Sequence, residues 1–335
     1  MNKTVLVIGI IFLLVGVSVI PSTVGIIDKK STVRTLIYNG YIQDLIDNAS
    51  DGNTINIPSG TYYENIIIDK SINLIGEDKD TTIIDGERKG HVVQIKKDGV
   101  TISGFTIQRS DSWGSQHSGL RIESDNNLIQ NNNIIRNGHG ILLDGFTNSI
   151  EIYNNIIRYN NIKLNKVGIT LSDGCSNNII YKNNINNNSY HGIDIDNMGG
   201  PAPCNNIISN NNINYNGNSE GVGTGIYTHR AGPNQIVHNN IKYNAYGLHL
   251  FLTNGLKIKY NNIIGNDIDA DFFACIYQRW GRNYWNEPMS APKKIHGIMI
   301  IRWPGYYKEL PCFNIDWLPA KKPYDITTTH GCGIE

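Results

Sequence analysis

Asn132–Gly145 reads NNIIRNGHGILLDG, and it contains two units that recur down the chain. The first, Asn followed by Ile, returns at Asn133–Ile134, Asn155–Ile156, Asn184–Ile185, Asn212–Ile213, Asn240–Ile241 and Asn262–Ile263, at intervals of 22, 29, 28, 28 and 22 residues. The second, Gly followed by Ile or Leu, runs in step with it at Gly119, Gly140, Gly168, Gly192, Gly225 and Gly247. After each Gly the residues alternate: GLRIE, GILLD, GITLS, GIDID, GIYTH, GLHLF. Period-two alternation is the mark of a short strand with one buried face. Short strands at this spacing, with no helix between them, predict a parallel β-solenoid. No rung covers its own apolar face, so each needs the rungs above and below.

The Asn residues suit such a solenoid in two ways. Asn tolerates the left-handed conformation a sharp corner needs. Stacked in register, Asn side chains hydrogen-bond up the column and satisfy amides that would cost ~1–3 kcal/mol each if buried alone. A disordered Asn-rich tract is excluded because Ile and Leu keep phase with the Asn.

Both ends of the solenoid need covers. In Gly40–Ser50, Ile42, Leu45, Ile46 and Ala49 fall at helical spacing, which predicts an amphipathic N-terminal cap helix. DGNTINIPSGTYYENIIID then reads as the first rung. After Asp271 the repeat dissolves into an aromatic, Pro-containing stretch carrying Trp280, Trp285, Trp303 and Trp317, expected to form an irregular C-terminal cap. The expected organisation is therefore a signal peptide or anchor over 1–25, capped β-helix over 38–272, C-terminal cap over 273–326 and a loose tail over 327–335.

A charged start, an apolar run from Val5 to Ile20 and then PSTVG read as a secretory signal peptide, with a retained membrane anchor as the alternative. Either implies export to the cell surface, periplasm or medium. The formal net charge of zero argues against a nucleic-acid backbone as partner. Five cysteines fall in a compartment that permits disulfides, and none has Cys-x-x-Cys spacing. Cys175 and Cys204 lie on neighbouring rungs one residue out of phase, and a disulfide between them is expected. Cys275 and Cys312 are a second possible pair, in the cap.

SGTYYENIIIDKSINLIGEDKDTTIIDG, VTISGFTIQ, the NNI…GI rungs and NYWN together resemble the right-handed parallel β-helix proteins of the pectin-lyase-like superfamily. The nearest likeness is to the secreted NosD-like group. The resemblance spans about Gly40 to Ile326 and implies the fold. For function it implies only a range: lyases, hydrolases and epimerases of polysaccharides, tailspikes, adhesins, and a copper accessory protein.

His139 sits in a Gly-His-Gly of the kind found at polygalacturonase centres, but the accompanying Asn-Thr-Asp, Asp-Asp and Arg-Ile-Lys are missing. In register it shares a column with Ser118, Val167, His191, Thr224 and Tyr246, so it reads as repeat phase. The outward positions after each Gly are more informative: Arg121/Glu123, Leu142/Asp144, Thr170/Ser172, Asp194/Asp196, Tyr227/His229, His249/Phe251, then Asp269/Asp271 from the Gly-less DIDAD. Asp is depleted from strands, so several on one face point to a site. Candidate catalytic groups are Asp194, Asp196, His229 and His249, since carboxylates and imidazoles about 4.8 Å apart can share protons. Candidate substrate contacts are Asp144, Tyr227, Arg230, Asp269, Asp271 and Trp113, the last on an inserted loop. Asp194 and Asp196 are also a candidate Ca²⁺ pair. Copper has no obvious cluster, with four Met in the chain and His scattered over several rungs. The expected partner is a polysaccharide or cell-surface glycan, bound and in some versions modified. A passive adhesive rod and a copper accessory protein are the alternatives, in that order.

Overall fold

The computed structural model describes residues 37–38, 40–111, 117–145, 151–217, 223–303 and 306–327. The expected signal segment, Trp113 and residues 328–335 of the expected tail lie outside these residues.

Three strands and three corners make each rung. Sheet one begins with Thr54–Ile57, sheet two with Ile37–Tyr38 followed by Gly60–Tyr63, and sheet three with Ile66–Ile68. Among the described residues they hold ten, eleven and eleven strands, parallel from rung to rung except for the last strand of sheet three, which is antiparallel. The result is an all-β, right-handed parallel β-helix. Its interior follows from the sequence alternation. Ile102, Ile129, Ile157, Ile180, Ile208, Ile236 and Ile258 form one buried column on sheet one. Ile107, Ile134, Ile162, Ile185, Ile213, Ile241 and Ile263 form its counterpart on sheet two. Each such side chain stabilises the rod by about 1.5–3 kcal/mol relative to exposure.

Inside the corners run three asparagine ladders. The longest is Asn132, Asn160, Asn183, Asn211, Asn239, Asn261 and Asn283, each Nδ2 donating to the next Oδ1 at 3.0–3.2 Å. Each Oδ1 also accepts the preceding ladder residue's backbone N–H, at 2.9–3.1 Å. The ladder residue is not the one that bends left-handed. The residue before it takes φ near +57°, and it is Tyr159, Lys182, Asn210, His238, Tyr260 or Arg282 as readily as Asn131. Ladder hydrogen bonding, rather than tolerance of positive φ, is thus what requires Asn here. Asn155 also belongs to a different corner from the other five Asn–Ile units. Its ladder is Asn127–Asn155–Asn178–Asn206–Asn234, and Asn161 fills its place beside Asn133 and Asn184.

The repeated Gly answers to space, not torsion. A Cβ at Gly168 would lie 2.4 Å from the carbonyl oxygen of Gly192, and one at Gly140 2.5 Å from that of Gly168. Only a residue without a side chain lets these rungs close onto the third ladder, Asn137–Asn165–Asn188–Asn216–Asn244–Asn266.

The N-terminal helix, Tyr41–Asp47, buries Ile42 and Ile46 over the first rung. The buried Glu64 carboxylate accepts the Ile42 and Gln43 amides at its start. Parallel pairing persists past Asp271: Trp280 stacks below Ile258 and Trp285 below Ile263, closing the core. The C-terminal cover is not irregular. Lys293–Trp303 and Tyr306–Asp316 form an antiparallel hairpin, joined to sheet three through Phe272↔Gly297 and Phe273↔Ile298.

All four cysteines in the described residues are free thiols, which overturns the expected Cys175–Cys204 bridge and the possible Cys275–Cys312 pair. The one-residue phase offset is the reason. Cys175 pairs with Ile152 and is fully buried, whereas Cys204 stacks on Ser176, its Sγ 3.3 Å from the Ser176 hydroxyl. Neighbouring strand residues face opposite sides, so the two sulfurs are directed apart.

Candidate functional site

The outward face of sheet three carries the chemistry. Its central column runs Arg121, Leu142, Thr170, Asp194, Tyr227, His249, Asp271. Beside it Asp196 pairs with His229, His229 with Phe251, and Phe251 with Phe273. A cavity of about 500 Å³ opens over this stretch, bordered by His191, Asp194, Asp196, Tyr227, Tyr246 and His249.

Two Asp–His pairs are built here. His229 Nδ1 lies 2.7 Å from Asp196 Oδ1, and His249 Nδ1 lies 2.6 Å from Asp271 Oδ1. A carboxylate on Nδ1 fixes the ring and leaves Nε2 to meet a ligand, the arrangement that suits proton transfer. Tyr227 is held between two imidazoles. Its ring stacks on His191 at 4.8 Å and on His249 at 5.5 Å, with interplanar angles of 7° and 11°. The rings therefore cover one another's faces and present their edges and polar tips outward. His191 Nδ1 shares a hydrogen bond with the Thr224 hydroxyl at 2.9 Å.

Burial governs the titration of this surface. Asp194 is pushed up to about 8, first by burial and then by the neighbouring Asp196 charge. Its Oδ1 is sealed from solvent with no partner among the described residues. Burial also lowers His191 to about 3, helped by His249 and His139. Tyr227 rises to about 12 through burial and the charges of Asp194 and Asp196. At neutral pH the pocket thus holds a protonated carboxyl, a neutral imidazole and a neutral phenol beside two Asp–His pairs.

The other sequence candidates lie elsewhere. Asp144 is two rungs back, its carboxylate 2.8 Å from Arg121 Nη2, which also binds Glu123 at 2.6 Å. Arg230 is an exposed corner residue at φ 48°, outside the cavity lining. Asp269 faces away from the pocket, bonding Asn286 Nδ2 at 3.0 Å and Lys293 Nζ at 3.4 Å. Without a Gly to mark the phase, DIDAD reads two residues out of step: Asp271, not Asp269, lies opposite His249.

Sequence reasoning did not count His191 and Tyr246 as site residues. His191 occupies the column just before the Gly, which in sequence reads as repeat phase. In that column His91 bonds Ser118 at 2.9 Å and His191 bonds Thr224, whereas His139, followed by Val167, reaches across to Thr170 of the central column at 2.7 Å. A hydroxyl residue one rung after His, at Ser118 and Thr224 but not at Val167, was the available signal. Burial lowers His91 and His139 to about 4. Among the described residues, no three His, Cys, Asp or Glu side chains converge on a point that could hold a metal ion.

No curated protein sequence matches the chain. Among solved structures, the A-module of the Azotobacter vinelandii mannuronan C-5 epimerase AlgE6 is similar at TM-score 0.52 and 14% identity, covering 72% of this chain and 80% of that one. ORF18 of Geobacillus virus E2 follows at 0.48 and 16%, covering 82% and 63%. An alginate lyase from Paenibacillus sp. str. FPU-7 aligns at 0.44 and 13%, covering 74% and 94%. At these identities the likeness is one of fold. The family model described as a right handed beta helix region matches residues 91–272, more than half of the sequence. The chain therefore belongs to the right-handed β-helix family.

Proposed function

We propose that the protein is exported and binds a polysaccharide along the outward face of sheet three, with one sugar residue seated over Tyr227. The observation that carries this reading is the cavity lined by the stacked rings of His191, Tyr227 and His249 together with Asp194 and Asp196. Its lining comes from three successive rungs and supplies donors and acceptors fitted to hydroxyl-rich rings. An epimerase named for mannuronan shares the fold, which supports a carbohydrate ligand.

The arrangement also suits proton transfer at a bound sugar, with the His229 and His249 Nε2 atoms and the Tyr227 hydroxyl as the groups in reach of it. The test is binding and turnover on acidic and neutral polysaccharides, with and without Ca²⁺, beside an Asp196→Ala/His229→Ala variant. The expected result is binding to at least one polymer that the variant loses. New reducing ends or unsaturated products, absent from the variant, would add catalysis to binding. No binding to any polymer would sink the reading and leave a passive rod.

A further inference from the structure

Sheet one ends in a concentration of positive charge that the sheet-three site does not use. Lys257 and Arg279 stand in the same outward column on adjacent rungs, and Lys259 lies beside them over Gly281. Arg282 follows at the corner, its guanidinium 5.9 Å from the centre of the Tyr260 ring. None of the four is in an ion pair among the described residues; Lys257 Nζ instead reaches the neutral Gln235 Oε1 at 3.2 Å. Like charges stacked on neighbouring strands repel, so this column is unfavourable unless something anionic covers it. The chain as a whole is neutral, which makes the local excess more pointed.

A cavity of about 260 Å³ lies in the same place, bordered by Lys259, Tyr260, Trp280, Gly281, Arg282 and Trp317. Trp317 is 66% exposed. Trp280 is 7% exposed and its Nε1–H is buried without an acceptor, a spare donor beside the cationic groups.

We propose that this end of sheet one is a second carbohydrate site, one that takes an anionic sugar residue, carboxylated or sulfated. Arg282 and Lys259 meet the acid group, and Trp317 offers an aromatic face to the ring. The extent of the charge favours a sugar over a nucleic acid. Moving up the two columns, the next residues are Gln235 and Val237, then Ile207 and Ser209, all uncharged. The cations therefore span two rungs, about 5 Å, enough for one or two acid groups and too short for a run of phosphates.

The probes are dextran sulfate and polygalacturonate, with neutral dextran as control, titrated at low and physiological salt. The expected result is binding of an acidic polymer that weakens with salt. Lys259→Gln/Arg282→Gln should reduce it by roughly tenfold or more. Trp317→Ala, a change at an exposed position, should weaken it several-fold while leaving the salt slope unaltered. Circular dichroism melts confirm that each variant is folded. If Lys259→Gln/Arg282→Gln binds as wild type while Asp196→Ala/His229→Ala does not, this proposal fails and the sheet-three reading stands. Tighter binding to a single-stranded oligonucleotide or to phosphatidylglycerol vesicles than to either acidic polymer also overturns it.

Discussion

Asn283 Nδ2 donates to Asp316 Oδ2 at 3.0 Å, so the longest asparagine ladder ends on a carboxylate carried by the C-terminal hairpin. Asp316 is fully buried and also accepts the Arg282 and Asn283 amides and the Trp285 Nε1–H. Each amide of this ladder gives one Nδ2 hydrogen back to a carbonyl of the preceding rung and the other forward to the next Oδ1, so the last one is left with a donor that an anion satisfies better than another amide. Asp316→Ala orphans several buried donors and is expected to cost about 3–5 kcal/mol. Asp316→Asn, which keeps an acceptor, should cost less. Urea unfolding of the two variants checks the order, and equal losses would mean that the hairpin is not held through this residue.

The pH dependence of stability should carry the mark of Asp194. Its folded value, about 8, lies above the ~3.9 of an unfolded aspartate. Between those values the folded chain holds a proton that the unfolded chain has lost. Its contribution is therefore full below pH ~4 and lost as pH rises towards about 8. His191 acts in the opposite sense and lower down. Lowered to about 3, it favours folding increasingly as pH climbs from there to ~6.5. Asp194→Asn mimics the protonated acid, so its melting temperature relative to wild type should rise from pH 5 to pH 9. A constant difference across that range would show that Asp194 is ionised in the folded protein.

Tyr227→Phe separates packing from chemistry. The ring stack between His191 and His249 survives the change, and the hydroxyl does not. Thermal stability should stay within about 0.5 kcal/mol of wild type, while polysaccharide binding or turnover falls by an order of magnitude. Tyr227→Ala should lose both. Unchanged glycan behaviour in Tyr227→Phe would move the sugar away from this ring.

Reductant should leave the melting temperature unmoved, because the described cysteines are thiols. In native labelling Cys204 and Cys312 should react ahead of Cys175 and Cys275, which are buried and pushed up to about 12 and about 11. Peptide mapping after a short maleimide pulse reads the order. Early modification of Cys175 would require its corner to open.

The alternation after each Gly was enough to show which residues of Gly192–Asp196 face in and which face out, because side-chain direction in a strand is fixed by parity. Hence Asp194, Asp196, Tyr227, His229 and His249 were found together from spacing alone. Parity fails where its marker is missing: Asp269 took the empty Gly slot, and only the pairing of His249 with Asp271 shows it. Corners were harder to read, since three of them carry similar Asn motifs and nothing local distinguishes Asn155 from Asn161. The hairpin was illegible for a different reason. Its strands are antiparallel and eleven residues long, and their one Gly-Ile, Gly297–Ile298, pairs with Phe272–Phe273 rather than falling in the Gly column of the rungs. His191 was overlooked because its role depends on partners brought alongside by stacking, Tyr227 and Thr224, which lie 36 and 33 residues away in sequence.

The direction of the ladders bears on how such a chain changes over evolutionary time. Every internal rung presents the same acceptor to one neighbour and the same donor to the other, and only Asp316 closes the series. Duplicating or deleting one complete repeat in the middle therefore joins a donor to an acceptor again, with no new terminus to invent. Length is a free variable of this architecture, while its ending is not: a lineage can lengthen or shorten the rod by whole rungs so long as the last asparagine still meets that aspartate.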